Sequence, residues 1–448
     1  MQISIQSLGC PKNFVDSEVI AGYLLKHQYT ITNDLENCDI VLINTCSFIE
    51  PAVEESIDNI LEAVNLKKEG KVHYIVVAGC LPQRYKGQEL IKSLPEVDAF
   101  IGIDEIPHIA DILKKVIKGE KTFQVNLKPS YLYNENSPRF LFTPGHYAYL
   151  KIAEGCNNAC TYCLIPHIKG PYRSRTIESI FSEAQSLVDR YPLKEIILIA
   201  EDTTYYGKDL YGATSLADLL KRLTELNWSR ENRIRILYTH PAHYDDKLID
   251  CLAENELFCP YLDIPLQHIS NPILKRMNRK IGKDEIIALI DKLRRRIPNL
   301  TLRTTFIIGF PGETEADFQE LCDFVQDYKF EKVGVLKYYD EADCYASKYP
   351  EQVPEKVKKE RLDKLMSIQQ KIALTHQEGK IRKKIKVLVD GFYENGGNIL
   401  AGRSCAEAPE IDGNILILNG KKKDIGNWVE VEISKAYPYH LEGKIRDK

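Results

Sequence analysis

The sequence has no uninterrupted apolar run of the roughly 18 residues that a membrane span requires, so no membrane role is expected. Its first residues, "MQISIQSLGC", lack the basic stretch and apolar stretch of an export signal, and a cytoplasmic protein is expected. No low-complexity tract interrupts it. Neither sign of charge dominates. A net charge of −4 carries neither the basicity of a general nucleic-acid binder nor the acidic excess of a disordered chain. The composition is that of a soluble protein with a sizeable core, 44% hydrophobic and 28% charged. At roughly 150 residues per domain, 448 residues make about three domains.

Cysteine, by contrast, is plentiful. Twelve cysteines in a cytoplasmic chain are not a disulfide framework, because thiols there are kept reduced. They are metal ligands, reactive groups or small buried hydrophobes, and their spacing decides between these. Three early segments share one pattern: "ISIQSLGC" before "NFVDSEVIAGYLLK", "DIVLINTC" before "EPAVEESIDNILEAV", and "YIVVAGC" before "KGQELIKSL". Each is an apolar run of strand length, a cysteine, then an amphipathic helix. Such alternation predicts βαβ units in a parallel sheet, whose strands end along one ligand-binding edge. Cys10, Cys46 and Cys80 are therefore predicted to converge.

Residues 126–147 carry Pro, Asn and Ser without helical period and read as a boundary. Six strand–helix repeats follow, with strands "AYLKIAE", "EIILIAE", "RIRILY", "YLDIPL", "LRTTFIIGF" and "KVGVLKYY". They predict an open or partial parallel β/α barrel. A long helix in 353–380 presents Leu362, Leu365, Met366 and Ile372 on one face. Four short strands follow, "KIKVLVDGFY", "NILAGRS", "GNILILN" and "WVEVEI", separated by turns such as "ENGGN" and "IDGN". They predict a small antiparallel, OB-like β-barrel. The expected fold class is thus α/β: an N-terminal parallel-sheet domain (1–125), a partial (β/α)6 barrel (142–375) and the small β-barrel (380–446).

The sharpest local signal is "EGCNNACTYCLIPHIKG", in which Cys156, Cys160 and Cys163 form C-x-x-x-C-x-x-C just after the first barrel strand. Three thiolates on one loop can hold three irons of a cubane cluster and leave the fourth open to a substrate. The competing reading is zinc, with His167 as the fourth ligand. Its position at the carboxyl end of a barrel strand favours the cluster.

On these residues the sequence resembles the radical S-adenosylmethionine superfamily, whose signature is this spacing with an aromatic residue, here Tyr162, before the third cysteine. The resemblance implies a [4Fe–4S] cluster whose open iron chelates S-adenosylmethionine and cleaves it to a 5′-deoxyadenosyl radical. Candidates to hold that cosubstrate are Glu201, Gln267 and Arg303, for its ammonium, ribose hydroxyls and carboxylate; each could instead be an internal polar partner. Cys10, Cys46 and Cys80, three cysteines without a fourth ligand, point to a second [4Fe–4S] cluster, although each alone could be a buried thiol. Cys38, Cys251, Cys259, Cys322, Cys344 and Cys405 are assigned to packing.

Two three-cysteine sites, a radical barrel and a terminal β-barrel together resemble the methylthiotransferases. That resemblance implies an N-terminal methylthiotransferase domain, a C-terminal TRAM domain, and conversion of C–H to C–S–CH3. It also implies that one S-adenosylmethionine is spent as methyl donor and another as radical source. External electron and sulfur donors would serve a monomeric enzyme. The spellings "GCPKNFVDSE", "NTCSFIEPAVEES", "AGCLPQRY", "EDTTYYGKDLYG" and "GRSCAEAPEIDG" resemble the branch that modifies an aspartate β-carbon in small-subunit ribosomal protein twelve. The branch that modifies transfer-RNA adenosine usually reads Gly-Cys-Gln-Met-Asn at the first cysteine. Residues 383–448 hold 11 Lys plus Arg and 10 Asp plus Glu, less basic than an RNA-binding barrel. Glu407, Glu410 and Asp412 are predicted to form an acidic face for a basic protein partner. A transfer-RNA methylthiotransferase and a non-catalytic iron–sulfur or zinc RNA-binding protein are the alternatives. Two departures from the family pattern stand out: Glu201 where Gln is expected, and "DEADCYASKYP" (340–350) where an "EEGT"-like turn is expected.

Overall fold

The computed structural model describes residues 1–85, 88–393 and 397–446. Glu394, Asn395 and Gly396 of the predicted "ENGGN" turn, and Lys86 and Gly87 of the predicted "KGQELIKSL" helix, lie outside the described residues.

The N-terminal sheet comprises β1 (Gln2–Ser7), β2 (Thr30–Thr32), β3 (Ile40–Thr45), β4 (Tyr74–Gly79), β5 (Ala99–Ile101) and β6 (Thr122–Gln124), all parallel in the order β2-β1-β3-β4-β5-β6. Every residue of β3 is buried, as expected of a parallel strand covered on both faces. Helices Pro11–Lys26 and Glu50–Lys68 follow β1 and β3, each with proline in its first turn, where the missing N–H costs nothing. The register pairs Ser7 with Asn44 and Thr45 with Gly79, so the three strands end level.

After β6 the chain runs without helix or strand to β7 (Tyr147–Lys151). This stretch is a strap rather than a loose linker. Tyr133 and Arg139 are buried, and the Arg139 guanidinium bonds Glu18 of the first domain (2.9 Å) and Glu183 of the barrel (2.7 Å). β8 (Ala153–Glu154) and β9 (Arg173–Ser174) form a short ribbon. The second parallel sheet adds β10 (Glu195–Ile199), β11 (Arg233–Ile236), β12 (Phe258–Asp263), β13 (Thr301–Ile308) and β14 (Lys332–Lys337). Its order, β14-β13-β12-β11-β10-β7, leaves β14 and β7 as open edges, so the barrel is partial. The basic run 292–296 lies at the end of helix Lys283–Arg296 with Arg294, Arg295 and Arg296 exposed, Lys292 and Arg296 pairing with Asp246 and Asp250.

Helix Glu355–Glu378 buries Leu365 of the predicted apolar face and packs Leu362 and Ile372 against the core, but it also buries Arg361, Gln369, Ala373 and Gln377. The reason is polar pairing: Arg361 donates to Glu313 (2.7 Å) and Gln369 to the Phe330 carbonyl (3.0 Å). The last domain closes as a barrel of β15 (Lys384–Phe392), β16 (Leu400–Arg403), β17 (Ile415–Ile417), β18 (Trp428–Ala436) and β19 (Leu441–Ile445), in the order β15-β16-β17-β19-β18. All its pairings are antiparallel except β17 with β19. β19 is not among the four predicted strands. Its central Gly443 gives no apolar signal, because the Glu432 carbonyl would lie 2.5 Å from any Cβ there.

Candidate functional site

The cysteines of the first domain meet because of Gly9. Its φ is +86°, and a Cβ at that position would lie 2.6 Å from Cys46 Cβ and 2.9 Å from its Sγ. Only glycine turns the chain there and lets Cys10 approach Cys46. Cys80 begins its own short helix directly after β4. Cys80 is buried, Cys10 and Cys46 are half-buried, and the three thiols lie close enough to interact electrostatically. Burial pushes the Cys46 and Cys80 thiols up, while the ammonium of Lys169 favours their thiolates. Lys169 is itself buried against Asp16 (3.3 Å) and Glu154 (3.5 Å). Two buried ammonium groups, Lys12 and Lys169, thus flank three thiols, an environment suited to an anionic cluster.

The second set sits on the loop after β8. Cys156 N–H donates to Gly170 O (3.1 Å), Asn158 N–H to Cys156 Sγ (3.4 Å), and Thr161 N–H to Met277 O (3.1 Å). Asn158 Nδ2 donates to Asp202 Oδ2 (2.7 Å), and Asn278 Nδ2 to Ala159 O (2.7 Å). Arg279 aims Nη1 at Cys160 Sγ (3.7 Å). Tyr162 packs edge-on against Phe310, with centroids 6.5 Å apart. The loop is therefore held from three barrel elements by the chain's own groups. Burial pushes Cys156 up to about 12 and Cys163 well above the ordinary thiol value. Such thiols stay protonated and inert unless a cation draws the protons off.

A mononuclear zinc site needs sulfurs about 3.8 Å apart, from tetrahedral geometry at about 2.3 Å per bond. Among the described residues, the one group of three His, Cys, Asp or Glu side chains with ligand atoms within 4.8 Å of one another is Asp202, His240 and His243. Neither cysteine set is that tight, and His167 is exposed. The wider spacing fits a cluster rather than one ion.

Both loops open on one cavity of about 380 Å³, lined by Cys10 from the first set and by Cys156, Cys160 and Cys163. Glu201 and Gln267 also line it. Glu201 pairs with Lys12 at 3.2 Å and lies in electrostatic reach of Cys80 and Cys163. Burial opposes the Lys12 charge, yet Glu201 and Cys10 hold its ammonium protonated well above the lysine range. Gln267 adopts a left-handed φ of 74°, and its buried Oε1 has no hydrogen-bond partner. A buried acceptor left without a donor marks a place for a ligand hydroxyl or ammonium. The cavity lies within the range of small-molecule sites.

Arg303 is not in this cavity. It is the third residue of an eight-residue strand, inside the sheet rather than past its end. There it pairs with Asp263 (2.9 Å) and Asp412 (3.7 Å), and lines a separate cavity with Gln369 and Tyr439. The acidic face is corrected likewise. Glu407 is buried against Lys332 and Lys380 (3.6 Å each), and Asp412 accepts from Tyr261 Oη (2.7 Å). These charges join the small barrel to the radical sheet, and only Glu410 remains exposed. The departing loop 340–350 also has a structural task. Glu341 accepts from Arg84 (2.6 Å) and from the Glu50 N–H (2.6 Å), which ties the first domain to the barrel beside Cys46.

Several site residues were missed from sequence. Lys12, Asn158, Thr239, His240 and Arg279 line the cavity, and Asp202 braces it through Asn158 and His243 (2.8 Å). Burial, reinforced by Arg279, depresses His240 to about 3 and keeps it neutral. Asn158 and Lys12 adjoin the quoted cysteines, and Asp202 follows Glu201, so neighbourhood was the available signal.

Residues 150–325 match the radical SAM superfamily, residues 2–102 the uncharacterized protein family UPF0004, and residues 381–445 the TRAM domain. The chain is 44% identical over 444 residues to the ribosomal protein uS12 methylthiotransferase RimO of Geotalea uraniireducens, spanning 99% of this chain and 98% of that one. It is 46% identical over 448 residues to the Heliobacterium modesticaldum protein of the same name, spanning 100% and 96%. Among solved structures, the radical S-adenosylmethionine methyltransferase TsrM of Kitasatospora setae shares 14% identity at a TM-score of 0.54, over 75% of this chain and 72% of that one. At that identity the likeness is one of fold. With its cysteine loops in place and its full length matched, the chain belongs to the RimO family of radical S-adenosylmethionine methylthiotransferases.

Proposed function

We propose that this protein methylthiolates an aspartate of ribosomal protein uS12 at its β-carbon, replacing C–H by C–S–CH3. The observation that carries the reading is one cavity lined by Cys156, Cys160 and Cys163 together with Cys10, the member of the first triad that reaches it. Cys156, Cys160 and Cys163 would hold a [4Fe–4S] cluster that, with S-adenosylmethionine, supplies one-electron cleavage of a sulfonium; Cys10, Cys46 and Cys80 would hold a second, supplying the sulfur site.

The chain's own residues do the rest. Asn158, Thr161, Asn278 and Arg279 fix the loop whose Cys156, Cys160 and Cys163 line the cavity and would hold the cluster there. Gln267 Oε1 accepts from the cosubstrate's ammonium or ribose hydroxyls. The Lys12–Glu201 pair stands between the two loops and sets the charge there. Phe48 and Ile49 line the cavity with apolar surface, which would limit water beside a bound cosubstrate. Twelve free cysteines suit a reducing cytoplasm, and no described helix is long and apolar enough to cross a membrane. The enzyme would act as a monomer that draws electrons and sulfur from external donors.

The test is incubation of anaerobically reconstituted protein, S-adenosylmethionine and reductant with uS12 and, separately, with transfer RNA. A gain of one CH2S unit on the uS12 aspartate is expected. A gain on RNA alone would refute the substrate assignment.

A further inference from the structure

Two cysteines assigned to packing lie together across a domain seam. Cys259 is in β12 of the radical sheet and Cys405 is two residues past β16 of the small barrel. Cys405 packs on the buried cluster that contains Cys259, and the two thiols are near enough to perturb each other's acidity. Arg235, buried in β11, holds this corner. It donates to the carbonyls of Cys405 (2.9 Å) and Ser404 (3.3 Å) while pairing with Glu195 (2.7 Å). Glu195 also binds Arg403 (2.6 Å), so both sides of the seam are fixed by one network.

The two thiols differ in accessibility. Cys259 is buried, whereas Cys405 is half-buried. They also differ in acidity. The neighbouring Cys259 thiol and the positive potential of Arg235 and Arg233 bias Cys405 towards its thiolate, although burial opposes this. Cys259 is correspondingly pushed up. A half-buried thiol biased towards its thiolate beside a fully buried thiol is the arrangement of an attacking and a resolving cysteine.

We propose that Cys259 and Cys405 are an oxidative modification site that forms a disulfide between the radical barrel and the small β-barrel when a low-molecular-weight disulfide rises. The Cys405 thiolate attacks one sulfur of the small disulfide, forms a mixed disulfide and expels one small thiolate. Cys259 then loses its proton and attacks the Cys405 sulfur, expelling the second. Two protein thiols lose two electrons and two protons, and the small disulfide is reduced to two thiols. The new bond adds a covalent tie to a seam that Arg235, Arg403 and Glu195 hold at this corner.

The experiment treats cluster-loaded protein anaerobically with oxidised glutathione, with iron content followed throughout. Acid quenching, alkylation of remaining thiols and digestion then map the cysteines. The expected result is a peptide pair joined through Cys259 and Cys405, lighter by two hydrogens than the separate peptides and released by dithiothreitol, with iron retained. In Cys259→Ser the reaction should stop at glutathione on Cys405. Recovery of both residues as alkylated thiols would overturn the proposal. So would a persistent glutathione adduct on Cys405 beside a free Cys259 in the unsubstituted protein, or linkage of either residue to a different cysteine.

Discussion

Replacing Gly9 by alanine should remove one cluster and spare the other. The substituted residue must either keep φ near +86° or open the turn that brings Cys10 to Cys46. Keeping it costs about 1–2 kcal/mol in left-handed backbone strain. The new methyl would also sit 2.6 Å from Cys46 Cβ and 2.9 Å from its Sγ. Relieving such overpacking costs about 1–3 kcal/mol. The sum, about 2–5 kcal/mol, is less than a typical domain's stability of about 5–15 kcal/mol. The fold should therefore survive, and relief should come locally by displacing Cys46 from Cys10. Iron in the reconstituted protein should fall from about eight to about four per chain. 5′-Deoxyadenosine formation should persist, and the methylthiolated product should disappear. Gly9→Ala protein with full iron and full product formation would refute the placement of these cysteines.

Other consequences are open to measurement. Glu201→Gln leaves the Lys12 ammonium, whose side chain is only 9% exposed, without its carboxylate. Cluster-free protein should lose about 3–5 kcal/mol in denaturant unfolding, partly restored by adding Lys12→Met; no restoration would contradict the pairing. His240 and His268 are both depressed to about 3, chiefly by burial, so below about pH 6.5 the unfolded chain takes up protons that the folded chain refuses. Glu313, raised to about 7 by burial, opposes this between about 7 and 4.5, where the folded chain holds the extra proton. Across pH 6.5 to 4.5 these three groups leave one net proton, and stability should fall by about 1.4 kcal/mol per pH unit, a slope that His240→Asn should flatten. Arg403→Ala leaves Glu195 and Asp390 facing a gap in the seam, where the bonds are 2.6 and 2.7 Å. It should cost about 3–5 kcal/mol and speed proteolytic release of the small barrel; unchanged digestion would contradict that seam.

The parallel sheets were legible because their strands are covered on both faces and read as continuous apolar runs, as "IVLINT" does. The first cysteine set was legible for a related reason, since each of its thiols follows a strand end and strand ends gather, while the second was legible from its spacing on one loop. Arg303 misled because its strand continues five residues beyond it, a length that periodicity does not mark. The acidic turn misled because its partners are remote: Glu407 meets Lys332 and Asp412 meets Arg303 only in the folded chain. The helix 355–378 showed only the apolar part of its buried face, because the arginine and glutamine there are paired rather than solvated. Gln267 could be singled out as a polar residue past a strand, but its unpartnered oxygen appears only in three dimensions.

The central claim is that the two triads have separate roles at one cavity. It is tested most directly by measuring 5′-deoxyadenosine and methylthiolated product side by side for two triple variants. One carries alanine at Cys156, Cys160 and Cys163, the other at Cys10, Cys46 and Cys80. The first should form neither compound, and the second should form 5′-deoxyadenosine without product. Equal loss of 5′-deoxyadenosine from both variants, or product from the second, would contradict the account.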